Sequence, residues 1–215
     1  MNLDRKTKLV VLHAHHSNID FTEAALQDAN VEQIHHVDPG FIDVIKNKSK
    51  HQIEKRVQTQ LEWLAASKPD AILITCTNYS LYIKGSEIND IPILKIDELF
   101  FQSLLDYSNV TLYFTNDETV EGTTHRLKDY FKQVKSKVDF QVKLIDHAFE
   151  LLMSNKHDAY SKVIVDYIGK NPTQGHIVFP QLSMHQAATH LKSKGFNVIT
   201  PVDTLKKAEI YMRQI

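Results

Sequence analysis

Cys76 is the only cysteine among 215 residues. It stands where the apolar run Ala71-Ile72-Leu73-Ile74 breaks into Thr75-Cys76-Thr77-Asn78-Tyr79-Ser80. A thiolate is both nucleophile and base, and a helix N-terminus or a nearby cation raises the fraction of thiol in that form. Thr77 and Asn78 carry donors suited to a carboxylate, or to the enediolate left when an α-proton is withdrawn. The competing reading is structural. Unpaired cysteines are often inert core side chains, and threonine and asparagine serve as ordinary caps and turn formers.

Three further groups carry reactive side chains. His13-Ala14-His15-His16-Ser17 follows an apolar run, and His13 and His15 share one face if the strand continues. A His-x-His pair is also a metal-ligand arrangement. Thr115, Asn116 and Thr119 follow another apolar run, with Glu118 and Glu121 close enough to repel an anion unless they point to solvent. Gln181, Ser183 and His185 form the third group, in which an imidazole titrating near neutrality is a candidate proton donor. Ser183-Met-His-Gln186 and Asp20-Phe-Thr-Glu23 both fit the capping-box pattern, so Ser183 reads first as an N-cap. Asp38 and Asp146 each precede a helical segment and read as caps as well. His35 and His36 alternate on a strand, one inward and one outward.

These groups need a scaffold, and the pattern supplies one. Apolar runs at 9–12, 32–37, 71–74, 93–96, 110–114, 140–145, 176–179 and 197–199 alternate with segments of helical period. That βα order predicts an α/β fold with a mainly parallel sheet, whose ligands sit at the carboxyl ends of the strands. Residues 50–67 give the clearest helix, with Ile53, Val57, Leu61 and Leu64 on one stripe and Pro69 as the stop. Met153, Met184, Trp63, Phe100 and Phe101 fall at core spacing. The two halves repeat one another: Val37-Asp38-Pro39-Gly40-Phe41 matches Ile145-Asp146-His147-Ala148-Phe149, and Ile72-Leu73-Ile74-Thr75-Cys76 matches Ile177-Val178-Phe179-Pro180-Gln181. Two similar domains are expected, 1–97 and 98–202, related by a pseudo-twofold axis across a cleft, with a helix at 203–215 packing back on the first.

Composition narrows the function. With 25 basic and 26 acidic residues and a net charge of -1, nothing suits a nucleic acid backbone or an anionic membrane. Six scattered glycines make no phosphate-cradling loop, so nucleotide cofactors are not expected. A lone cysteine excludes an intrachain disulfide, and the absence of a signal-peptide core or of a long apolar stretch predicts a cytoplasmic protein.

The motifs Val37-Asp38-Pro39-Gly40, Cys76-Thr77-Asn78, Thr115-Asn116-Asp117-Glu118-Thr119-Val120 and Phe179-Pro180-Gln181-Leu182-Ser183-Met184, taken in order, resemble those of the aspartate/glutamate racemase superfamily. Hydantoin racemase, maleate isomerase and arylmalonate decarboxylase belong to the same superfamily. The resemblance implies two α/β domains with the active site between them, no cofactor, no metal, and a small carboxylate or amino acid as partner, often in a homodimer. Racemases of this kind place a cysteine from each domain beside the substrate α-carbon. Here the second thiol position aligns with Gln181, whose amide is no useful acid or base at neutral pH. The resemblance therefore implies single-cysteine chemistry, a proton transfer or covalent addition at Cys76 with His185 as a substitute proton donor. His13, His15, Ser17, Thr77, Asn78, Thr115, Asn116, Thr119, Gln181 and Ser183 would line the substrate site. Two alternatives stay open: a non-catalytic ligand-binding relative, and a metal-dependent hydrolase using His13 and His15, whose spacing resembles the first motif of amidohydrolase barrels.

Overall fold

The computed structural model describes residues 5–173 and 175–205. By its internal packing the chain divides into two units, one running to Leu99 and the other covering Phe100–Thr204.

The first unit contains β1 (Thr7–His13), α1 (Asn18–Leu26), β2 (Val31–Val37), α2 (Phe41–Asn47), α3 (Lys50–Ala65), β3 (Ala71–Ile74), α4 (Thr77–Ser80), β4 (Glu87–Ile88), β5 (Ile91–Lys95) and the start of α5 (Ile96–Ser103). Its sheet runs in the order β2-β1-β3-β5-β4. All pairings are parallel except β4 with β5. Leu9 to Leu12 of β1 and all of β3 are buried, as expected of central parallel strands covered on both faces. The core joins Val10, Leu12, Ile72 and Ile74 to the α3 stripe of Ile53, Val57, Leu61 and Leu64. Ser49 starts α3 through a full capping box with Gln52, which satisfies two otherwise free backbone donors.

The second unit contains β6 (Asn109–Phe114), α6 (Val120–Gln133), β7 (Asp139–Leu144), α7 (Ala148–Met153), α8 (His157–Lys170), β8 (His176–Val178), α9 (His185–Ser193) and β9 (Val198–Ile199). Its sheet is all parallel in the order β7-β6-β8-β9. That order reproduces the first sheet without β4, so the repeat read from the sequence is present in the strand order of each unit. Helical structure resumes at Pro201, where Thr200 and Asp203 bond each other's backbone N–H groups. Positions 206–215 of the expected terminal helix lie outside the described residues.

Several local expectations need correction. Helix α1 begins with Ser17 at the N-cap, so Asp20 sits inside its first turn and caps nothing. Trp63 is 60% and Met153 63% exposed, against 0% for Met184; both exposed side chains lie on the outer faces of their helices. Strand β4 is two residues long, too short for a periodic signal.

Candidate functional site

Each sheet changes direction at its centre: β1 lies between β2 and β3, and β6 between β7 and β8. Connections leave such a strand pair toward opposite sides, which opens a crevice at the carboxyl ends. In the first unit the residues at that point are His13, the last of β1, and Thr75-Cys76, which follow β3.

Cys76 occupies the N-cap position of α4 with extended backbone, φ -105° and ψ 116°. It is half-buried, with part of its side chain against the core. Its carbonyl accepts from the backbone N–H groups of Tyr79 and Ser80, while the first-turn amides of any helix have no partner within it. Thr77 and Asn78 are half-buried on the same turn.

What fixes that turn is a cluster the sequence reading missed. Tyr79, fully buried, donates its hydroxyl to Asp38 Oδ2. Arg56 of α3 pairs with the same carboxylate at 2.6 Å and donates to the Tyr79 hydroxyl at 3.3 Å. Phe41 stacks on the Tyr79 ring at 3.7 Å between centroids. Burial pushes the Tyr79 hydroxyl pKa up, and the bond to Asp38 raises it further; the bond to Asp38 also raises the pKa of Arg56. Asp38 is therefore no cap: Gly40 holds the N-cap position of α2, and the carboxylate is spent on partners distant in sequence. Ser80 adds a bond of 3.0 Å to the buried Asp97.

His13 is fully buried, and both its nitrogens are engaged. Nδ1 lies 2.9 Å from Thr75 Oγ1 and Nε2 lies 2.9 Å from His35 Nδ1. Burial, then the neighbouring His35, lowers its pKa to about 4. Beyond it, His35 Nε2 meets Glu23 Oε1 at 2.7 Å. His15 has left the strand and is exposed, with Nδ1 2.7 Å from Ser17 Oγ and accepting from the Ser17 N–H. The structure therefore does not make a His-x-His ligand pair: His13 has no free lone pair to offer. Both His35 and His36 are half-buried, rather than one in and one out, since His36 packs edge-on against Trp63.

In the second unit Gln181 follows β8 at φ -100° and ψ 129°. Its Oε1 accepts from Thr115 N at 2.7 Å and Thr115 Oγ1 at 3.1 Å, and its amide nitrogen donates to Thr119 Oγ1 at 3.4 Å. The buried Tyr160 hydroxyl lies 3.0 Å from both Thr115 Oγ1 and Ser183 Oγ. Ser183 is thus a bridge partner and not an N-cap; Gln186 turns away to Asp158. Asn116 caps a single 3-10 turn by accepting from Glu118 N. Glu118 and Glu121 are exposed, and so is Asp146, which caps nothing because His147 holds the N-cap position of α7. His185 opens α9, half-buried. Thr115, Thr119, Gln181 and Ser183 are brought together, tied by a tyrosine that no local motif announced.

No protein-family model and no curated protein matches the chain. Solved structures do. Aspartate racemase of Picrophilus torridus superposes with a TM-score of 0.72 over 95% of this chain and 93% of its own, at 15% identity. Glutamate racemase of Francisella tularensis, in complex with D-glutamate, gives 0.66 over 98% and 81%, at 14% identity. A mutant of arylmalonate decarboxylase gives 0.62 over 96% and 93%, at 12% identity. The chain shares its two-unit α/β fold with these racemases and the decarboxylase. Among the described residues no helix is long and apolar enough to cross a membrane.

Proposed function

We propose that the protein is a cofactor-independent enzyme of the racemase type that works at the α-carbon of a small amino acid or carboxylate through Cys76. The observation that carries this reading is the thiol's place: half-exposed, at the switch point of a parallel sheet, on a turn held by Asp38, Arg56 and Tyr79. In the step proposed, the Cys76 thiolate takes the α-proton, and the C–H electron pair moves into the carboxylate as an enediolate. Thr77 and Asn78 stabilise that charge with hydrogen bonds. The same sulfur then returns a proton, so exchange with solvent outruns inversion. Fold likeness to racemases and to a decarboxylase supports carbanion chemistry beside a carboxylate.

Incubation in deuterium oxide with a panel of α-amino and dicarboxylic acids, followed by NMR, tests it. Deuterium should enter the α-position of at least one compound, with little loss of optical purity. Cys76→Ala should reduce that rate by about a thousandfold, within the range of general acid–base catalysis. Exchange that survives the substitution would refute the assignment. A panel with no exchange, in which the same compounds shield Cys76 from iodoacetamide, would mark a binding protein instead.

A further inference from the structure

Behind the Cys76 turn, Thr75, His13, His35 and Glu23 form one hydrogen-bonded row that the proton transfer at sulfur does not use. Its links are 2.9, 2.9 and 2.7 Å. It begins at a threonine 5% exposed, adjacent to Cys76, and ends at a glutamate whose side chain is 54% exposed. The elements contributing are the end of β3, β1, β2 and α1; the other titratable ring beside the row is His36, which faces Trp63.

The proton count decides the direction of the row. Thr75 has one hydroxyl proton and two acceptors in range, His13 Nδ1 at 2.9 Å and the Leu12 carbonyl at 3.1 Å. That carbonyl already accepts the Thr75 backbone N–H at 3.1 Å. If the hydroxyl points to Leu12, His13 Nδ1 must donate to it, His35 must donate from both nitrogens, and a cationic ring stands at a site whose side chain is 15% exposed. If it points to His13, every group donates outward, both rings are neutral, and the only charge is the carboxylate at the solvent end. The second arrangement needs no partly buried cation, whose desolvation the contact with the half-exposed Glu23 carboxylate would offset only in part.

We propose that these four residues are a directional positioning relay: Thr75 donates to His13, His13 to His35 and His35 to Glu23, which locks residue 75 to the end of β1 and so aims the next residue, Cys76. Tied by side chain to His13 and by backbone to Leu12, Thr75 is held to the end of β1 at two points. The lowered pKa of His13 agrees with a ring that stays neutral. The relay's consequence for reactivity rests on the reading of Cys76 as a working thiol; its proton arrangement does not.

Two measurements test the relay. Nitrogen-15 NMR of the full chain at neutral pH should find His13 and His35 both as Nε2–H tautomers, with Nδ1 bare; a proton on His13 Nδ1 would overturn the direction. Alkylation of Cys76 by iodoacetamide gives the second readout. His13→Leu and Thr75→Val should each change its rate by about threefold or more, as small misplacements of reacting groups do, and the double variant should add little. His13→Asn, whose amide reaches Thr75, should return the rate to near that of the wild type, a rescue that simple cavity filling would not give. Equal rates in all folded variants would overturn the positioning role. An inert thiol in the wild type, with both tautomers as expected, would remove the Cys76 reading and leave the proton arrangement standing.

Discussion

Cys76 leaves β3 at φ -105° and ψ 116°, and Gln181 follows β8 at φ -100° and ψ 129°, each at the N-cap position of a short helical turn. The backbones agree, yet the turns are held in opposite ways. In the first unit the bracing comes from other residues, Asp38, Arg56 and Tyr79. In the second the turn residue does the bracing itself, with both ends of the Gln181 amide bonded to Thr115 and Thr119. A side chain spent on holding the scaffold cannot also move protons, and one that moves protons needs its support from elsewhere. The same strand order therefore carries two kinds of turn: the first is held by its neighbours, the second by its own residue.

The sharpest way to break this comparison is to remove the external brace. Asp38→Ala leaves the Arg56 guanidinium and the buried Tyr79 hydroxyl without their shared acceptor. The loss should be about 3 kcal/mol, the lower end for breaking a buried ion pair, since Arg56 is partly solvated. Trp63, the only tryptophan, lies on α3 and packs against His36 of β2, so its fluorescence in a urea titration follows the first unit. An unchanged midpoint would show that the turn is held by backbone bonds alone.

What was legible in the sequence, and what was not, follows the range of the interactions. The central strands β1, β3 and β6 were readable because buried parallel strands are nearly continuous apolar runs, and the α3 stripe because its period is local. The position of Cys76 at a strand end followed from the same pattern. The duties of polar residues did not. Asp38 and Ser183 have the composition of caps, but their side chains bond Tyr79, 41 residues on, and Tyr160, 23 residues back. Alternation on β2 located His35 without revealing that the His13 ring reaches it from the neighbouring strand, where His13 itself pairs with Val37, because strand pairing is set by the whole sheet rather than by either segment. Propensity names what a residue can do locally; tertiary partners decide which option it takes.

A smaller effect should separate the two units by pH. His13 titrates near 4 when folded, against an ordinary value of 6.5. The unfolded chain therefore binds the proton more readily, and stability is full above about pH 6.5 and falls as pH drops toward 4. By pH 5 the loss from His13 alone should be about 2 kcal/mol, seen through Trp63 as a lowered urea midpoint. His13→Asn should flatten that dependence. An equal pH slope in wild type and variant would assign the acid sensitivity to other groups.

The smallest expected effect lies in the second unit. Tyr160→Phe keeps a ring that is 2% exposed and deletes only the hydroxyl between Thr115 and Ser183. Burial already pushes the pKa of that phenol up and keeps it neutral, so the bonds lost are between uncharged groups and should cost about 1 kcal/mol. Tyr79→Phe should cost more, because its hydroxyl bonds an ion. Thermal melts of the two variants test the ranking. Equal losses would mean that the charged cluster under Cys76 holds its turn no more firmly than the neutral one under Gln181, and the contrast between a braced thiol and a self-bracing amide would lose its energetic basis.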